Sequence, residues 1–280
     1  MTNASDVPLI TLNNGVTIPQ LGFGTWQIPE DDTQGIVEHA LSTGYRHIDT
    51  AAAYGNEAQV GAAVQASGIA RDELFVTTKL WNANHGRDKT LKAFDESMEK
   101  LGLDVLDLYL IHWPLPDHDQ YVETWKALEE LLESGRTRAI GVSNFQQAHL
   151  ERLLKEGDVV PAVNQIELHP LLTQTALKAF QAEKTIHTEA WSPLAQGGDL
   201  LQDETIAGIA ERIGKSPAQT ILRWQLQEGN IIFPKSVTAS RVEENFDVFD
   251  VELTAEDLAA ISALNKDERQ GPDPDTFHTT

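Results

Sequence analysis

The feature that most constrains the fold is a regular alternation of short apolar segments with longer amphipathic segments along the whole chain. The segments between the short ones have the periodicity of amphipathic helices. Strands that alternate with helices run parallel and are joined by crossovers, so an α/β protein is predicted. Eight short segments, rich in β-branched or apolar residues, are the predicted strands: 21–25, 45–49, 75–80, 105–112, 138–142, 162–167, 186–191 and 231–235.

Two architectures are compatible with eight parallel strands, a closed barrel and an open doubly wound sheet. An open sheet usually has a glycine-rich phosphate loop after its first strand. Here Gly22 and Gly24 are followed by Thr25-Trp26-Gln27, so the third glycine of that motif is absent. The sequence therefore predicts a (β/α)₈ TIM barrel.

One domain is predicted over residues 1–280, because no shift in composition marks a second one. Residues 9–18 have the pattern of a small hairpin, with a turn rich in residues that tolerate positive φ, and this hairpin is predicted to plug the N-terminal end of the barrel. The barrel is predicted over residues 21–265. Residues 266–280 are polar and rich in proline, which predicts a flexible C-terminal tail.

Composition excludes several classes of function. The chain has no cysteine, which excludes disulfides, thiol nucleophiles and thiolate metal sites and favours a cytoplasmic location. Its formal net charge of −22 disfavours binding to nucleic acid or to an anionic membrane. No apolar run approaches the ~18 residues that span a bilayer, and the first residues do not have the pattern of a signal peptide. On so acidic a chain, a local cluster of basic residues would indicate a binding site for an anionic ligand.

Four residues with complementary chemistry lie at the ends of three successive predicted strands. Asp49 ends one strand, Tyr54 lies in the loop after it, and Lys79 and His112 end the next two. A barrel of this type collects such positions at its C-terminal face. A lysine ammonium favours the phenolate of a nearby tyrosine, whose free pKa is about 10. The group therefore suits protonation of a carbonyl oxygen, with the hydride supplied by a cofactor.

Several motifs resemble the aldo-keto reductases, in order and spacing, between about residue 10 and residue 264. The chain looks most like the bacterial 2,5-diketo-D-gluconate reductases within that family. The resemblance implies Tyr54 as the proton donor, supported by Asp49, Lys79 and His112. The motifs that carry it lie at residues 44–57, 79–82, 110–114, 141–145, 164–170 and 232–236, and the closer match includes residues 244–250.

The resemblance also implies a site for NADPH. Three residues would hold the nicotinamide carboxamide, namely Ser143, Asn144 and Gln165, and Trp191 would stack on the ring. The following loop, with Ser192 and Leu194, would lie along the pyrophosphate. Relatives often have glycine where Ala195 stands here.

A basic island expected at the other end of the cofactor would bind the 2′-phosphate. The island consists of Lys235, Ser236 and Arg241. Glu244 and Asn245 are implied near the adenine, and Val237 is also expected among the cofactor-binding residues.

The substrate is expected to be a small carbonyl compound, with a keto-sugar acid such as 2,5-diketo-D-gluconate suggested by resemblance. The walls of the substrate pocket are expected to be formed by Trp26, Trp81, His112, Trp113 and the tail. We expect a monomer without a metal.

Two other functions stay open at this point. One is a non-catalytic cofactor-binding sensor of redox state. The other is a metal-dependent barrel hydrolase that uses Asp49, His112, His169 and His187.

Overall fold

The computed structural model describes residues 3–279, and it contains the predicted parallel barrel. The eight barrel strands form one sheet in chain order, each parallel to the next. The bridge between Leu21 and Ile232 closes the sheet into a ring. The strands are β3 (Phe23–Gly24), β4 (His47–Asp49), β5 (Phe75–Leu80), β6 (Leu106–Ile111), β7 (Thr137–Ser143), β8 (Val163–Glu167), β9 (His187–Trp191) and β10 (Ile231–Ile232).

Helices cover the outside of the barrel. Six of them, one after each of β3 to β8, are α1 (Glu30–Thr43), α2 (Glu57–Ala66), α3 (Arg87–Leu101), α4 (Tyr121–Glu133), α5 (Gln147–Glu156) and α6 (Thr175–Glu183). Two follow β9 and two follow β10: α7 (Glu204–Ile213), α8 (Pro217–Gln227), α9 (Ala239–Phe246) and α10 (Ala255–Ser262). No helix within residues 3–279 has both the length and the apolar character needed to cross a membrane.

The two strands at the closure are shorter than the sequence predicts. Residues 21–25 and 231–235 were each expected to form a full strand, but β3 and β10 contain two residues each. Backbone hydrogen bonds still link the two segments, from the Gly22 amide to the Ile232 carbonyl and from the Ile232 amide to the Gln20 carbonyl. Pro234 has no N–H to donate, so the regular ladder stops before it.

A hairpin of β1 (Leu9–Thr11) and β2 (Thr17–Pro19) precedes the barrel, as predicted. Its Leu12 and Ile18 pack with Phe75, Leu108 and other side chains in the barrel interior. The Asn14 side chain donates to the Arg138 carbonyl, near the start of β7. The hairpin therefore lies at the N-terminal end of the barrel.

The tail, residues 266–279, packs against the opposite end. The backbone amides of Gln270 and Gly271 donate to the Glu167 carboxylate at the end of β8. The Phe277 ring lies 4.3 Å from Trp113, measured between ring centroids. The tail therefore lies beside the carboxyl ends of the strands, whereas its flexibility stays a prediction.

Candidate active site

A cavity of about 1300 Å³ opens at the carboxyl ends of the strands, which is where barrel enzymes place their active sites. Asp49, Tyr54 and His112 line it. Arg241 and Asn245 line the same cavity. One continuous cavity therefore connects the catalytic group predicted from the sequence with the predicted basic island.

Lys79 is fully buried beneath this cavity and is held by three oxygen atoms. Its Nζ donates to Asp49 Oδ1 at 2.6 Å, to the Thr50 carbonyl at 2.9 Å and to the Tyr54 hydroxyl at 3.5 Å. An ammonium has three hydrogens to donate, so these acceptors use all of them. Burial acts to lower the pKa of Lys79, but the charges of Asp49 and Tyr54 outweigh it and the pKa is raised. Lys79 is therefore a cation at neutral pH.

The loop that carries Tyr54 is fixed by its neighbours in the sequence. Gly55 follows Tyr54 with φ of +71°, a conformation that favours glycine, and it ends a short 3₁₀ helix (Ala52–Tyr54). Asn56 donates to the Thr25 carbonyl and accepts from the Thr50 hydroxyl. These contacts tie the loop to two strand ends, which holds the Tyr54 hydroxyl next to Lys79.

Burial raises the pKa of the Tyr54 hydroxyl above its ordinary value, and Lys79 acts against that rise. The sequence predicts a phenol whose pKa is lowered by its neighbours. Lys79 does act in that direction, but burial outweighs it, so the predicted lowering is wrong and Tyr54 keeps its proton at neutral pH. A proton donor must be protonated before it reacts, and the ammonium then stabilises the phenolate that remains.

His112 lies on the other side of the phenol, with its ring centroid 5.8 Å from that of Tyr54. Burial lowers its pKa well below the ordinary range, and the charge of Lys79 lowers it further. His112 is therefore neutral at neutral pH. Within the part of the chain that the structure describes, its Nδ1 has no hydrogen-bond partner.

The residues predicted to hold a carboxamide lie together beside this group. Asn144 adopts φ of +64°, which asparagine tolerates better than most residues, and its side chain donates to the His112 carbonyl. The Trp191 indole donates to Asn144 Oδ1 at 2.8 Å. Ser143 Oγ donates to the Gln165 carbonyl at 2.8 Å. Asn144 thus uses both ends of its amide within the protein.

The three residues of the basic island line the cavity. Lys235, Ser236 and Arg241 line it, but Val237 does not and has half of its side chain exposed. Partial burial lowers the pKa of Lys235. The ion pairs formed within residues 3–279 include neither Lys235 nor Arg241, so both cations are available to an anion.

Comparison with known proteins identifies the family. The model of the Aldo/keto reductase family matches residues 20–266. Glyoxal reductase of Bacillus subtilis is 52% identical over 95% of this chain and 96% of its own length. Methylglyoxal reductase DkgA of Escherichia coli is 50% identical over 96% of this chain and 98% of its own.

A crystal structure of a Gox0644 mutant in complex with NADPH superposes with a TM-score of 0.93 at 49% identity, covering 97% of this chain and 98% of that one. The chain belongs to the aldo/keto reductase family. It is therefore an oxidoreductase, as the resemblance implied.

Nearly all the site residues predicted for this aldo/keto reductase meet at one cavity. Lys79 lies beneath the cavity rather than on its surface. The predicted residues on the lining are Trp26, Asp49, Tyr54, Trp81, His112, Trp113, Ser143, Asn144, Gln165, Trp191, Ser192, Leu194, Lys235, Ser236, Arg241, Glu244 and Asn245. Their roles stay predictions.

Other lining residues were not predicted for the site. The sequence marks Ser216 and Pro217 as the start of a helix, and α8 does begin there, but its first turn also lines the cavity. Ser216 Oγ donates to Glu244 Oε1. Further unpredicted lining residues come from the two barrel loops next to Gly24 and Leu194, whereas Gln270 and Gly271 belong to the tail, which was expected to contribute to the walls. Among the lining residues that were not predicted, only the helix cap gave a signal in the sequence, and that signal was structural.

The loop after Trp191 has an unusual backbone. Ser192, Ala195 and Gln196 have φ of +49°, +47° and +59°. Ala195 stands where the family resemblance implies glycine, and its left-handed conformation is one that glycine adopts without strain. The expected contact of this loop with a pyrophosphate stays a prediction.

The four residues of the hydrolase hypothesis do not all share a site, because Asp49 and His112 line the cavity whereas His169 and His187 do not. His187 begins β9, at the end of the barrel that the hairpin covers, and it contacts the Thr11 backbone. His169 is fully buried and pairs with Glu167 at 3.0 Å. Across residues 3–279, no group of three or more histidine and acidic side chains has an arrangement that could hold a metal ion. The geometry therefore gives no support to a metal-dependent hydrolase.

Proposed function

We propose that this aldo/keto reductase uses NADPH to reduce small aldehydes and ketones to alcohols. The observation that carries the proposal is the position of Lys79 Nζ, between the Asp49 carboxylate and the Tyr54 hydroxyl beneath the large cavity. This arrangement stabilises the phenolate formed when Tyr54 gives up its proton.

The cavity residues fit a dinucleotide phosphate. Lys235 and Arg241, unpaired within residues 3–279, offer two cations to a 2′-phosphate on a surface that is otherwise strongly acidic. Trp191 offers an aromatic face, and the amides of Asn144 and Gln165 lie next to it in the lining. A bound NADPH supplies a hydride. The NADPH complex of the related Gox0644 mutant supports the same choice of cofactor.

The residues around Tyr54 divide the remaining work. Tyr54 donates its proton to the carbonyl oxygen of the substrate, and Lys79 stabilises the phenolate that remains. His112 is neutral, so it orients the carbonyl oxygen by a hydrogen bond without competing for the proton. Trp26, Trp81 and Trp113 form apolar walls that exclude water from the reacting groups.

Glyoxal and methylglyoxal are the first substrates to consider. Two relatives that are 52% and 50% identical to this chain are named glyoxal reductase and methylglyoxal reductase. A keto-sugar acid such as 2,5-diketo-D-gluconate is the alternative that the sequence suggests. We also propose that the enzyme is monomeric and cytoplasmic, and sedimentation velocity of the purified chain tests the first of these.

The decisive experiment is a panel of aldehydes, 2-oxoaldehydes and keto-sugar acids, assayed with NADPH and with NADH. The proposal expects loss of reduced-nicotinamide absorbance with at least one carbonyl class, with NADPH preferred. Tight NADPH binding without turnover across the whole panel would favour the redox-sensor hypothesis instead.

A further inference from the structure

Glu189 is a fully buried acid beneath the cavity that the proposed reaction does not use. It lies in β9, two residues before Trp191, and none of its side chain is exposed. Its Oε2 accepts a hydrogen bond from Gln165 Nε2 at 2.9 Å. Its Oε1 has no partner among residues 3–279. Burying a carboxyl group without a direct cationic partner costs folding free energy, so the presence of Glu189 at this position needs an explanation.

Gln165 connects Glu189 to the catalytic group. The same Nε2 that donates to Glu189 also donates to Asp49 Oδ2 at 2.9 Å. An amide nitrogen has two hydrogens, so both are used by carboxyl groups. The carbonyl oxygen of the amide, Oε1, is then the atom left to accept a hydrogen bond from a ligand in the cavity that Gln165 lines.

Asp49 cannot fix this orientation alone. One hydrogen bond leaves the amide free to tilt about the Asp49 contact, whereas two acceptors on different strands define the plane of the amide. Asp49 lies on β4 and Glu189 on β9, on either side of Gln165 in the barrel interior. The two carboxyl groups together therefore hold the amide in one plane.

We infer that Glu189 is a positioning residue that, with Asp49, fixes the Gln165 amide so that its oxygen faces the nicotinamide end of the cofactor. The inference rests on the proposed function, because it assigns Gln165 to the carboxamide. It goes further in naming the buried acid that orients this contact. Glu189 acts through Gln165 and touches neither the cofactor nor the substrate.

The consequence is confined to one end of the cofactor. Loss of the Glu189 acceptor weakens binding of the nicotinamide and leaves the phosphate-binding residues Lys235 and Arg241 unchanged. Adenosine 2′,5′-bisphosphate carries the phosphate end of NADPH without the nicotinamide. It therefore separates a loss of amide positioning from a general loosening of the fold.

The test compares two substitutions of Glu189 with a matched control. Glu189→Leu removes the acceptor and keeps an apolar side chain in its place. Glu189→Gln keeps a carbonyl oxygen that can accept from Gln165. Glu57→Gln changes another fully buried carboxyl group, which accepts from Thr78 Oγ1 at 2.6 Å and does not line the cavity.

Dissociation constants for NADPH and for adenosine 2′,5′-bisphosphate are measured by fluorescence titration, with thermal unfolding of each variant. We expect Glu189→Leu to weaken NADPH binding about five- to tenfold, the factor that one hydrogen bond contributes. Binding of the bisphosphate should not change. Glu189→Gln should restore NADPH affinity to within about twofold, and the Glu57 control should match the wild type.

Unchanged NADPH affinity in Glu189→Leu would overturn the inference, and so would equal weakening of both ligands. If Glu189→Leu does not fold, Glu189→Ala takes its place with the same expectations. If the wild type reduces carbonyls with NADPH and Glu189→Leu binds NADPH with unchanged affinity, the proposed function stands and this inference is wrong. A wild type that binds no NADPH overturns both.

Discussion

The Lys79 ammonium, fully buried beneath the cavity, lies 2.6 Å from Oδ1 of Asp49, a buried residue at the cavity lining. A buried cation keeps its charge only when a partner compensates for the water it has lost. Asp49 is that partner, and it comes from the neighbouring strand of the barrel. The proposed stabilisation of a Tyr54 phenolate by the charge of Lys79 therefore depends on Asp49.

Asp49→Asn removes the negative charge and keeps the shape of the side chain. Lys79 then loses its compensating charge, and burial favours its neutral form. We expect kcat for carbonyl reduction to fall about 100-fold, the scale of general acid catalysis. Steady-state kinetics with NADPH measures this.

Asp107→Asn is the comparison for that change, because Asp107 is a buried carboxylate paired with Arg71 and Arg138 near the start of β6. It should lower stability by about 2 kcal/mol and leave kcat unchanged. Equal kcat in Asp49→Asn and the wild type would show that the charge of Lys79 does not matter for the reaction.

Arg241→Ala tests the basic island. The guanidinium makes no ion pair within residues 3–279, so its removal strands no partner there. We expect the dissociation constant of NADPH to rise about tenfold or more, since a charged contact with a phosphate is lost, and that of NADH to change little. Lys89→Met, at a site outside the cavity lining, serves as the control. An equal effect on both cofactors would place the 2′-phosphate elsewhere.

The barrel was predictable because its signals are local. The alternation of apolar strands with amphipathic helices specifies parallel strands. The capping-box spacing that begins at Ser216 also predicts the start of a helix, and Ser216 is the N-cap of α8. The lengths of β3 and β10 were wrong because they depend on pairing across the closure, between residues about 200 positions apart in sequence.

The convergence of Asp49, Tyr54, Lys79 and His112 was predictable because strand ends of a parallel barrel meet on one face, and their catalytic roles stay a proposal. The contribution of the tail was only partly predictable. The Gly271 amide donates to Glu167, and a Cβ atom at Gly271 would meet Trp191. This proximity involves backbone atoms, which leave no pattern in the sequence. The pKa of Tyr54 is set by burial, which depends on the whole loop from Tyr54 to Asn56 and on the strands beneath it. The amino-acid sequence alone does not give the burial of the Tyr54 hydroxyl.

Gly271→Ala tests the contact between the tail and Trp191. A Cβ atom at this position would lie 2.5 Å from Trp191 Cη2 and 3.2 Å from Glu167 Oε2, so either the tail or the indole must move. We expect kcat/KM to fall about tenfold, because small displacements of binding groups are costly to reaction geometry.

Gly208→Ala is the matched substitution. Gly208 lies within α7, and a Cβ there would meet nothing within 4 Å. It should raise stability by about 0.5–1 kcal/mol at unchanged kcat/KM. Wild-type kinetics in Gly271→Ala would mean that the tail does not help to hold Trp191.

Glu189 should make stability depend on pH. Burial, with a smaller contribution from the charge of Asp49, raises the pKa of Glu189 from its ordinary 4.5 to about 8, and the Gln165 hydrogen bond and the charge of Lys79 act against the rise. The folded protein therefore holds a proton that the unfolded chain releases between these values. The stabilisation is complete below pH 4.5 and is lost as the pH rises to about 8.

Relative to Glu189→Gln, which does not titrate, the wild type should lose on the order of 1 kcal/mol of unfolding free energy for each pH unit in this interval. Urea unfolding of both proteins at several pH values measures the difference. Parallel curves for the two proteins would contradict the raised pKa.

The most direct test of the account is single-turnover reduction of methylglyoxal by Tyr54→Phe, with NADPH affinity measured on the same sample. Removal of the hydroxyl leaves the ring, the cavity and the phosphate-binding residues in place. We predict that reduction falls by at least about 100-fold while the dissociation constant of NADPH stays within about twofold of wild type. Reduction at the wild-type rate by a variant that binds NADPH normally would show that Tyr54 is not the proton donor.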